Sequence, residues 1–368
     1  MEELDVAIIG AGVIGLSIAE RLSRNGASVA VFERHRRHGV ETSSRNSEVV
    51  HSGIYYPKDS LKARFCARGR EMIYALARNG DFFCRKSGKL IVACAPEEIP
   101  QLEALKSKGE ANGVGGLELI DGEEAARKSP GVAAVAALWS PETGIVDSEE
   151  LMGYFLKRAE AQGAMFVWNS QIEDMEKSAS GYRLKVKGAE PVAAKFLINC
   201  AGLESDTIAQ KCGIDIDAAG YRLHWFKGEY FRIRSKFPEG PLIYPVPAKH
   251  GLGIHLTLDR ENRGRLGPNA FAVARQAEQD YTIDVGHCRQ FWEAASRYLP
   301  DLREEDLSPD TAGIRPKLAA DGSFRDFVVN EESARGLPGL VNLIGIESPG
   351  LTASLAIADY VASLIDWH

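Results

Sequence analysis

Three glycines near the start of the chain are spaced to bind a phosphate group. Gly10, Gly12 and Gly15 follow the apolar run at 6–9 and open a stretch of helical pattern. The first glycine of such a turn permits a sharp change of direction, the second lets a diphosphate approach the backbone, and the third lets the helix pack closely on the strand. Because a helix N-terminus also directs N–H groups at phosphates, the pattern predicts a dinucleotide site.

An acidic residue at the end of the next apolar run makes this motif more specific. The run at 28–32 ends at Glu33, where a carboxylate is placed to accept hydrogen bonds from a ribose diol. A buried strand, loop and helix without a ligand is the alternative. The motif does not distinguish FAD from NAD. The basic run at 34–38 is predicted to be a solvated loop, with phosphate contact as its alternative.

A second polar segment, at 42–57, has the composition of a ligand-binding loop. Small hydroxyl residues surround Arg45 and Asn46, and His51 and Gly53 follow. Such a backbone can approach a ligand closely and donate hydrogen bonds to it.

Alternating strands and helices must position these groups. Apolar runs predict a buried strand at 88–94, a buried strand that runs into a small-residue turn at 196–202, and a further strand at 340–345. Ser348 is expected to be the N-cap, and Pro349 the first residue, of a last helix. The second strand and glycine turn, at 196–202, implies a nucleotide domain that is discontinuous in sequence.

Length and composition narrow the classes of function. The 368 residues suit two domains, and the net charge of −7 disfavours nucleic acid or an anionic membrane surface as a partner. An anionic substrate would therefore need a local cluster of positive groups. The six cysteines are scattered without metal-site spacing, so no metal is expected and a reducing compartment is favoured.

The chain is predicted to be cytoplasmic. It begins with acidic residues where a leader peptide would carry positive charge, and no apolar run reaches the roughly 20 residues that span a bilayer. Peripheral contact with the inner face of a membrane stays open as an alternative.

Several short motifs carry a family resemblance that extends over essentially the whole chain. They are NSEVVHSGIYY at 46–56, GKLIVA at 88–93, TGIVD at 143–147, KGEY at 227–230, GPNA at 267–270 and SPGLT at 348–352. With the glycine turns, they resemble the D-amino-acid-oxidase superfamily of FAD-dependent oxidoreductases, and within it the L-2-hydroxyglutarate oxidases and dehydrogenases. One departure is Glu48, where relatives usually carry a small residue.

The resemblance implies an α/β fold with an α+β second domain. A Rossmann-like FAD-binding domain, discontinuous in sequence, is expected at 1–84, 143–212 and 310–368. A substrate-binding domain with an antiparallel sheet is expected at 85–142 and 213–309. The implied cofactor is FAD, and the expected cofactor-binding residues are Gly10, Gly12, Gly15, Glu33, Arg34, Ser44, Arg45, Asn46, Ser47, Ala201, Gly202, Gly350, Leu351 and Thr352.

The implied reaction is oxidation of a small anionic 2-hydroxy acid, foremost L-2-hydroxyglutarate to 2-oxoglutarate, by hydride transfer to flavin N5. Arg315 is the candidate for binding the substrate carboxylate, because related oxidases place such an arginine in Gly-x-Arg-Pro at a strand end. An arginine that bridges domains through a carboxylate is the alternative. Lys317 and Lys227 are candidates to assist with a second carboxylate, and Tyr56 is expected to contact the substrate.

His51 and His255 are the candidates for the base that takes the hydroxyl proton, because imidazole titrates near working pH. His51 lies in the predicted flavin loop, and His255 lies on a second-domain strand. Covalent attachment of the flavin is a further role open to His51. Tyr55 and Tyr56 are either substrate contacts or core aromatic residues.

Two other functions stay open at this stage. The same fold could oxidise an amino acid, a secondary amine or glycerol 3-phosphate. A nucleotide-binding or assembly protein without redox turnover is disfavoured by the glycine-opened last helix and by Arg315. The sequence does not decide whether oxygen, a quinone or a carrier protein accepts the electrons.

Overall fold

A computed structural model describes residues 4–24, 26–247, 253–276 and 279–365. The acidic start of the chain and the two outer ends of the predicted domain ranges lie outside these residues. The helices are α1 (Val13–Ser23), α2 (Leu61–Ala77), α3 (Ile99–Ala111), α4 (Gly122–Lys128), α5 (Ser148–Ala161), α6 (Ser205–Lys211), α7 (Cys288–Ala295) and α8 (Gly350–Leu364). The strands are β1 (Leu4–Ile9), β2 (Val29–Phe32), β3 (Val49–Val50), β4 (Cys84–Arg85), β5 (Lys89–Ala93), β6 (Glu118–Asp121), β7 (Ala136–Ser140), β8 (Gly144–Val146), β9 (Met165–Val167), β10 (Ile172–Lys177), β11 (Tyr182–Val186), β12 (Val192–Asn199), β13 (His224–Lys236), β14 (Leu242–Pro245), β15 (Leu256–Leu258), β16 (Arg263–Leu266), β17 (Phe271–Val273), β18 (Leu307–Lys317), β19 (Val328–Glu332) and β20 (Leu337–Ile344).

The chain divides into two compact units. Unit 1 comprises Met1–Ser44, Ser148–Trp225 and Arg315–His368, and unit 2 comprises Arg45–Asp147 and Phe226–Ile314. These borders differ from the predicted ones, most clearly because residues 45–84 lie in unit 2. The reason is that β3 and β4 both pair with β8 in a small antiparallel sheet of that unit.

Unit 1 has an eight-stranded sheet with a parallel centre in the order β20-β12-β1-β2-β9. Strands β10 and β11 extend it antiparallel from β12, and β19 pairs antiparallel with β20. The apolar runs of β1 and β2 are almost wholly buried, as expected for strands of a parallel sheet that is covered on both faces. The predicted α/β architecture with a discontinuous parallel sheet is confirmed.

Unit 2 has a nine-stranded sheet in the order β17-β13-β16-β15-β14-β5-β7-β6, with β18 also pairing with β13. The pairings of β13 with β16, β14 with β15, β15 with β16, and β5 and β6 with β7 are antiparallel. Strands β5 and β14 are parallel. Parallel neighbours need a long connection, and these two strands come from separate stretches of the chain. The sheet is therefore mixed, and the prediction of an antiparallel sheet is corrected at this pair.

A buried polar network fixes the register between β12 and β20. Asn199 pairs with Asn342 across the two strands, and Asn199 Nδ2 donates to Asn342 Oδ1 at 2.8 Å. Asn342 Nδ2 donates in turn to Glu332 Oε1 at 2.9 Å, and that carboxylate also accepts from Tyr221 Oη at 2.8 Å. Buried groups of this kind must find partners, so a slipped register would leave several of them unsatisfied.

We expect Asn342→Leu to lower the free energy of unfolding by about 2–4 kcal/mol, because both neighbours of Asn342 lose a hydrogen bond in a buried place. Urea unfolding followed by circular dichroism measures this change. The control is Gln171→Leu, which replaces an exposed amide of the same unit. Equal stability of the two variants would contradict the role given to the network.

Candidate functional site

The turn between β1 and α1 explains the glycines of the phosphate motif. Gly10 has a φ of +101°, and a Cβ there would lie 2.5 Å from the carbonyl oxygen of Cys200. A Cβ on Gly15 would overlap the carbonyl oxygen of Gly10, so glycine lets α1 pack directly on the turn. A Cβ on Gly12 would lie 2.9 Å from Ser43 Oγ. Glycine at these positions keeps the first turn of α1 close to β1 and uncrowded.

Ser43, the neighbour of the predicted residue Ser44, also lies at this turn, and contact of Ser44 with FAD stays a prediction. Ser43 Oγ accepts a hydrogen bond from Val13 N at 3.0 Å, at the first residue of α1. Ser44 Oγ donates to the carbonyl oxygen of Glu41 at 3.4 Å. The run of hydroxyl residues at 42–44 was the available signal, but tertiary structure decides which hydroxyl reaches the helix.

Glu33 joins the glycine turn to the loop after β2. Its side chain is buried, and its carboxylate accepts hydrogen bonds from Ala11 N and His35 N, both at 2.8 Å. A carboxylate has about four acceptor positions, so lone pairs remain for a ribose diol. The predicted role in ribose binding therefore fits a side chain that also fixes the turn.

The basic run after β2 is held by ion pairs, which corrects the prediction of a solvated loop. Arg34 and His35 both pair with Glu41, and His35 Nε2 lies 2.8 Å from its carboxylate. Arg37, which is exposed, pairs with Glu149 at 3.0 Å. Only part of the run is solvated, and Glu41 sets the direction of the Arg34 side chain.

Helices α1 and α8 start side by side in unit 1. Ser17 Oγ donates to the carbonyl oxygen of Ser354 at 3.1 Å, and each residue is the fifth of its helix. One turn further along, Arg21 Nε pairs with Asp359 at 2.8 Å. The two helices therefore run parallel, and their N-termini present N–H groups and positive dipole ends at the same end of the pair.

The start of α8 differs from the prediction by one residue. Pro349 occupies the N-cap position, so Ser348 is not the N-cap and Pro349 is not the first helical residue. Gly350 N donates to the carbonyl oxygen of Glu347 at 2.6 Å, and the helix begins after this tight turn. The first turn contains the predicted residues Gly350, Leu351 and Thr352.

The turn after β12 lies beside the glycine motif. Cys200 N donates to the carbonyl oxygen of Ile9 at 2.9 Å, which continues the pairing of β12 with β1. Ala201 N donates to Asn199 Oδ1 at 3.3 Å, and Gly202 has a φ of +55°. The predicted pair Ala201 and Gly202 is thus adjacent to the phosphate turn.

The remaining predicted cofactor residues belong to unit 2 and make contacts within it. The Arg45 guanidinium lies 3.8 Å from the centroid of the Tyr281 ring. Asn46 Oδ1 accepts a hydrogen bond from the backbone two residues on, and Ser47 Oγ lies 3.0 Å from Tyr230 Oη. Contact of Arg45, Asn46 and Ser47 with FAD stays a prediction.

Glu48, the departure noted in the sequence, adopts a φ of +56°. This left-handed backbone favours glycine, so a small residue in relatives suits the position. The carbonyl oxygen of Glu48 accepts a hydrogen bond from Val146 N at 2.9 Å. The left-handed backbone at Glu48 therefore lies directly beside the hydrogen bonds that join β3 to β8.

Unit 2 buries a cation, Lys89, between aromatic rings. Its side chain is 1% exposed, and its Nζ lies 4.5 Å from the centroid of the Tyr55 ring and 4.6 Å from that of Tyr244. Within the residues that the structure describes, no carboxylate pairs with this ammonium. Burial accordingly lowers the pKa of Lys89 to about 7. Lys89 was not among the predicted site residues, because a lysine in a strand gives no sign of burial in the sequence.

His51 lies within the electrostatic field of Lys89. Burial, and then the positive charge of Lys89, lower the pKa of His51 to about 3. The imidazole is therefore neutral at neutral pH. Cys66 Sγ donates to the carbonyl oxygen of His51 at 3.3 Å and helps to position this backbone.

His255 stacks on the other aromatic residue of this cluster. Its ring centroid lies 3.9 Å from that of Tyr244, with 13° between the planes, and the side chain is buried. Because Tyr244 also contacts Lys89, both predicted histidines, His51 and His255, belong to one group of side chains in unit 2.

The other predicted substrate residues are distributed over both units. Arg315 and Lys317 belong to unit 1, where Lys317 Nζ lies 3.5 Å from a carboxylate oxygen of Glu347. Tyr56 belongs to unit 2, where it is half-buried and its carbonyl oxygen accepts from Asn112 Nδ2 at 2.9 Å. The roles of Arg315, Lys317 and Tyr56 in substrate binding stay predictions.

Comparison with protein families shows the family of this chain. Residues 5–364 match the family described as DAO, FAD dependent oxidoreductase. The chain belongs to this family of FAD dependent oxidoreductases. The predicted family and the predicted cofactor FAD are thereby confirmed.

Named relatives agree with this family. The chain is 37% identical over 403 residues to "L-2-hydroxyglutarate dehydrogenase, mitochondrial" of Arabidopsis thaliana, covering 98% of this chain and 83% of that protein. It is 30% identical over 408 residues to the Homo sapiens protein of the same name, covering 97% and 88% of the two chains. A FAD-bound L-alpha-glycerophosphate oxidase from Mycoplasma pneumoniae has a TM-score of 0.88 and 25% identity, with 100% and 96% coverage.

Unit 1 of this FAD dependent oxidoreductase fits its cofactor. The first turn of α1 is bordered by glycines whose Cβ atoms would crowd it, and it offers N–H groups to a diphosphate. Glu33 retains acceptor positions for the ribose. The N-terminus of α8 suits the pyrimidine side of the isoalloxazine, where negative charge develops on reduction.

The described ranges also bear on membrane and metal chemistry. Within them, no helix is long and apolar enough to cross a bilayer. The same ranges contain no group of three His, Cys, Asp or Glu side chains that could hold a metal ion. A cytoplasmic location and a peripheral membrane contact stay predictions.

We expect Gly15→Ala to weaken FAD binding by about tenfold or more, because its Cβ must push α1 away from the turn at Gly10. Fluorescence titration of the apoprotein with FAD measures the dissociation constant. The control is Gly153→Ala in α5, where no described atom lies within 4 Å of the added Cβ. The account of the turn would be wrong if both variants bound FAD like the parent protein.

Proposed function

We propose that this enzyme oxidises L-2-hydroxyglutarate to 2-oxoglutarate. The observation that carries the proposal is the 37% identity to the Arabidopsis thaliana L-2-hydroxyglutarate dehydrogenase over 98% of the chain. The buried cationic group of unit 2 supports it, because a protein with a net charge of −7 needs local positive charge to attract a dianion.

The reaction requires a base for the hydroxyl proton and a hydride acceptor for the C2 hydrogen. His51 is proposed to take the proton, because it lies in the segment at 42–57 that is predicted to approach the flavin, and an imidazole nitrogen can hold a proton. Bound FAD would supply the acceptor for the C2 hydrogen and its two electrons. The C2–H and O–H bonds break while the C2 carbonyl forms, and the hydride and the proton leave to these two acceptors. His255 is the alternative base.

Arg315 is proposed to bind the C1 carboxylate of the substrate. A guanidinium can hold a carboxylate through two parallel hydrogen bonds, which fixes orientation as well as charge. The relatives' name, dehydrogenase, favours a quinone or a carrier protein over oxygen as the electron acceptor. A membrane quinone as acceptor would require the predicted peripheral contact with a membrane.

A second candidate substrate is glycerol 3-phosphate. The observation that favours it is the TM-score of 0.88 to the glycerophosphate oxidase of Mycoplasma pneumoniae. Glycerol 3-phosphate is also an anion with a secondary hydroxyl group, so a base and a cation would serve it in the same way.

We expect L-2-hydroxyglutarate to bleach the flavin absorbance of the purified holoenzyme under anaerobic conditions. The same titration is made with D-2-hydroxyglutarate, glycerol 3-phosphate and glycine. Bleaching by L-2-hydroxyglutarate alone supports the proposal. Bleaching by glycerol 3-phosphate without bleaching by L-2-hydroxyglutarate would overturn it in favour of the second candidate.

We expect His51→Gln to slow flavin reduction by L-2-hydroxyglutarate about 10²–10⁴-fold, because glutamine cannot accept the hydroxyl proton. Anaerobic stopped-flow absorbance measures the rate, and flavin content shows that FAD is retained. His224→Gln, at the half-buried start of β13, is the control and should reduce at the parental rate. If His51→Gln keeps the parental rate and His255→Gln loses it, the base is His255.

A further inference from the structure

Two lysines that could bind a second substrate carboxylate already have counter-charges. Lys317 pairs with Glu347 at 3.5 Å. Lys227 pairs with Asp280 at 3.4 Å and also donates to a backbone carbonyl oxygen. Lys89 differs, because within the described part of the chain no carboxylate pairs with its ammonium, which lies over the rings of two tyrosines. A buried cation without a carboxylate is costly to fold, so its presence calls for an explanation.

A second buried polar group accompanies Lys89. Tyr55 Oη is buried and has no hydrogen-bond partner among the described residues. The Tyr55 ring is one of the two that Lys89 contacts, so a donor hydroxyl and an ammonium occur on touching side chains. A carboxylate offers acceptor positions to both groups, whereas an apolar ligand would satisfy neither.

His51 is half-buried, so part of its surface stays accessible. Lys89 is close enough to His51 to lower its pKa through its positive charge. A substrate that presents its hydroxyl group to His51 would therefore lie within the field of Lys89. The anionic end of that substrate would then be attracted by the ammonium form of Lys89.

We propose that Lys89 binds the distal carboxylate of the substrate and so selects a 2-hydroxy dicarboxylic acid over a 2-hydroxy monocarboxylic acid. This inference rests on the proposed function. An arginine suits the carboxylate beside the reacting carbon, where orientation matters most. A lysine is a compact point charge on a flexible stem, and it suits a terminal carboxylate.

The test compares two substrates that differ only at the distal end, L-2-hydroxyglutarate and L-2-hydroxyvalerate. In Lys89→Met we expect kcat/KM for L-2-hydroxyglutarate to fall about 100-fold, mainly through KM, because a charge-assisted contact is lost. The value for L-2-hydroxyvalerate should stay within about twofold, because its methyl end makes no such contact. Lys128→Met is the control, since its Nζ also lies 4.6 Å from an aromatic centroid, that of Trp139, but pairs with Glu124.

A second measurement uses the unmodified holoenzyme and does not depend on the folding of a variant. Binding of 2-oxoglutarate is followed by calorimetry at pH 8 in buffers of different ionisation enthalpy. Because the pKa of free Lys89 is about 7, the dianion should draw close to one proton onto it at this pH. The titratable groups that face Lys89 are His51, Tyr55, Cys66 and Tyr244, and burial keeps all four uncharged at pH 8.

The outcomes separate this inference from the proposed function. If L-2-hydroxyglutarate does not reduce the flavin of the parent enzyme, the proposed function fails, and the inference fails with it. If it does reduce the flavin, but Lys89→Met weakens both substrates equally or neither, only the inference fails. Absence of proton uptake with 2-oxoglutarate would likewise overturn the role of Lys89.

Discussion

The parallel packing of α1 against α8 is the constraint on which the rest of this structure depends. Ser17 and Ser354 meet one turn into their helices, and Arg21 and Asp359 meet one turn later. The first helix comes from the start of the chain and the second from its end, so the fold must close before their N-termini can act together. Two dipole ends at one end of the pair can serve a ligand with a diphosphate and an electron-accepting ring, which is the composition of FAD.

Unit 2 buries the side chain of a lysine, Lys89, which is unfavourable for folding. The chain carries a net charge of −7, yet Lys89 is buried against aromatic rings and pairs with no acid among the described residues. Burial also keeps His51 neutral. A buried neutral imidazole near a buried lysine that has no carboxylate partner among the described residues is a costly arrangement for stability. Such departures from ordinary packing rules are typical of functional sites.

The sequence predicted most of unit 1, because its signals are local. Gly10 has a positive φ, and a side chain at Gly15 would collide with the turn, so both positions require glycine. The apolar runs of β1 and β2 are almost wholly buried, which is typical of strands in a parallel sheet. The start of α8 was wrong by one residue, since Gly350 N–H binds a nearby carbonyl oxygen before the helix begins. Lys89 could not be found from sequence, because the burial of a side chain and its contacts with aromatic rings are properties of the tertiary structure.

A crystal structure of the holoenzyme tests the central claim most directly, because it locates FAD relative to the two helix N-termini. The account predicts the diphosphate at the first turn of α1, with the ribose diol on Glu33, and the pyrimidine side of the isoalloxazine at the first turn of α8. Electron density that places the flavin ring away from Gly350, or the diphosphate away from Gly12, would contradict it.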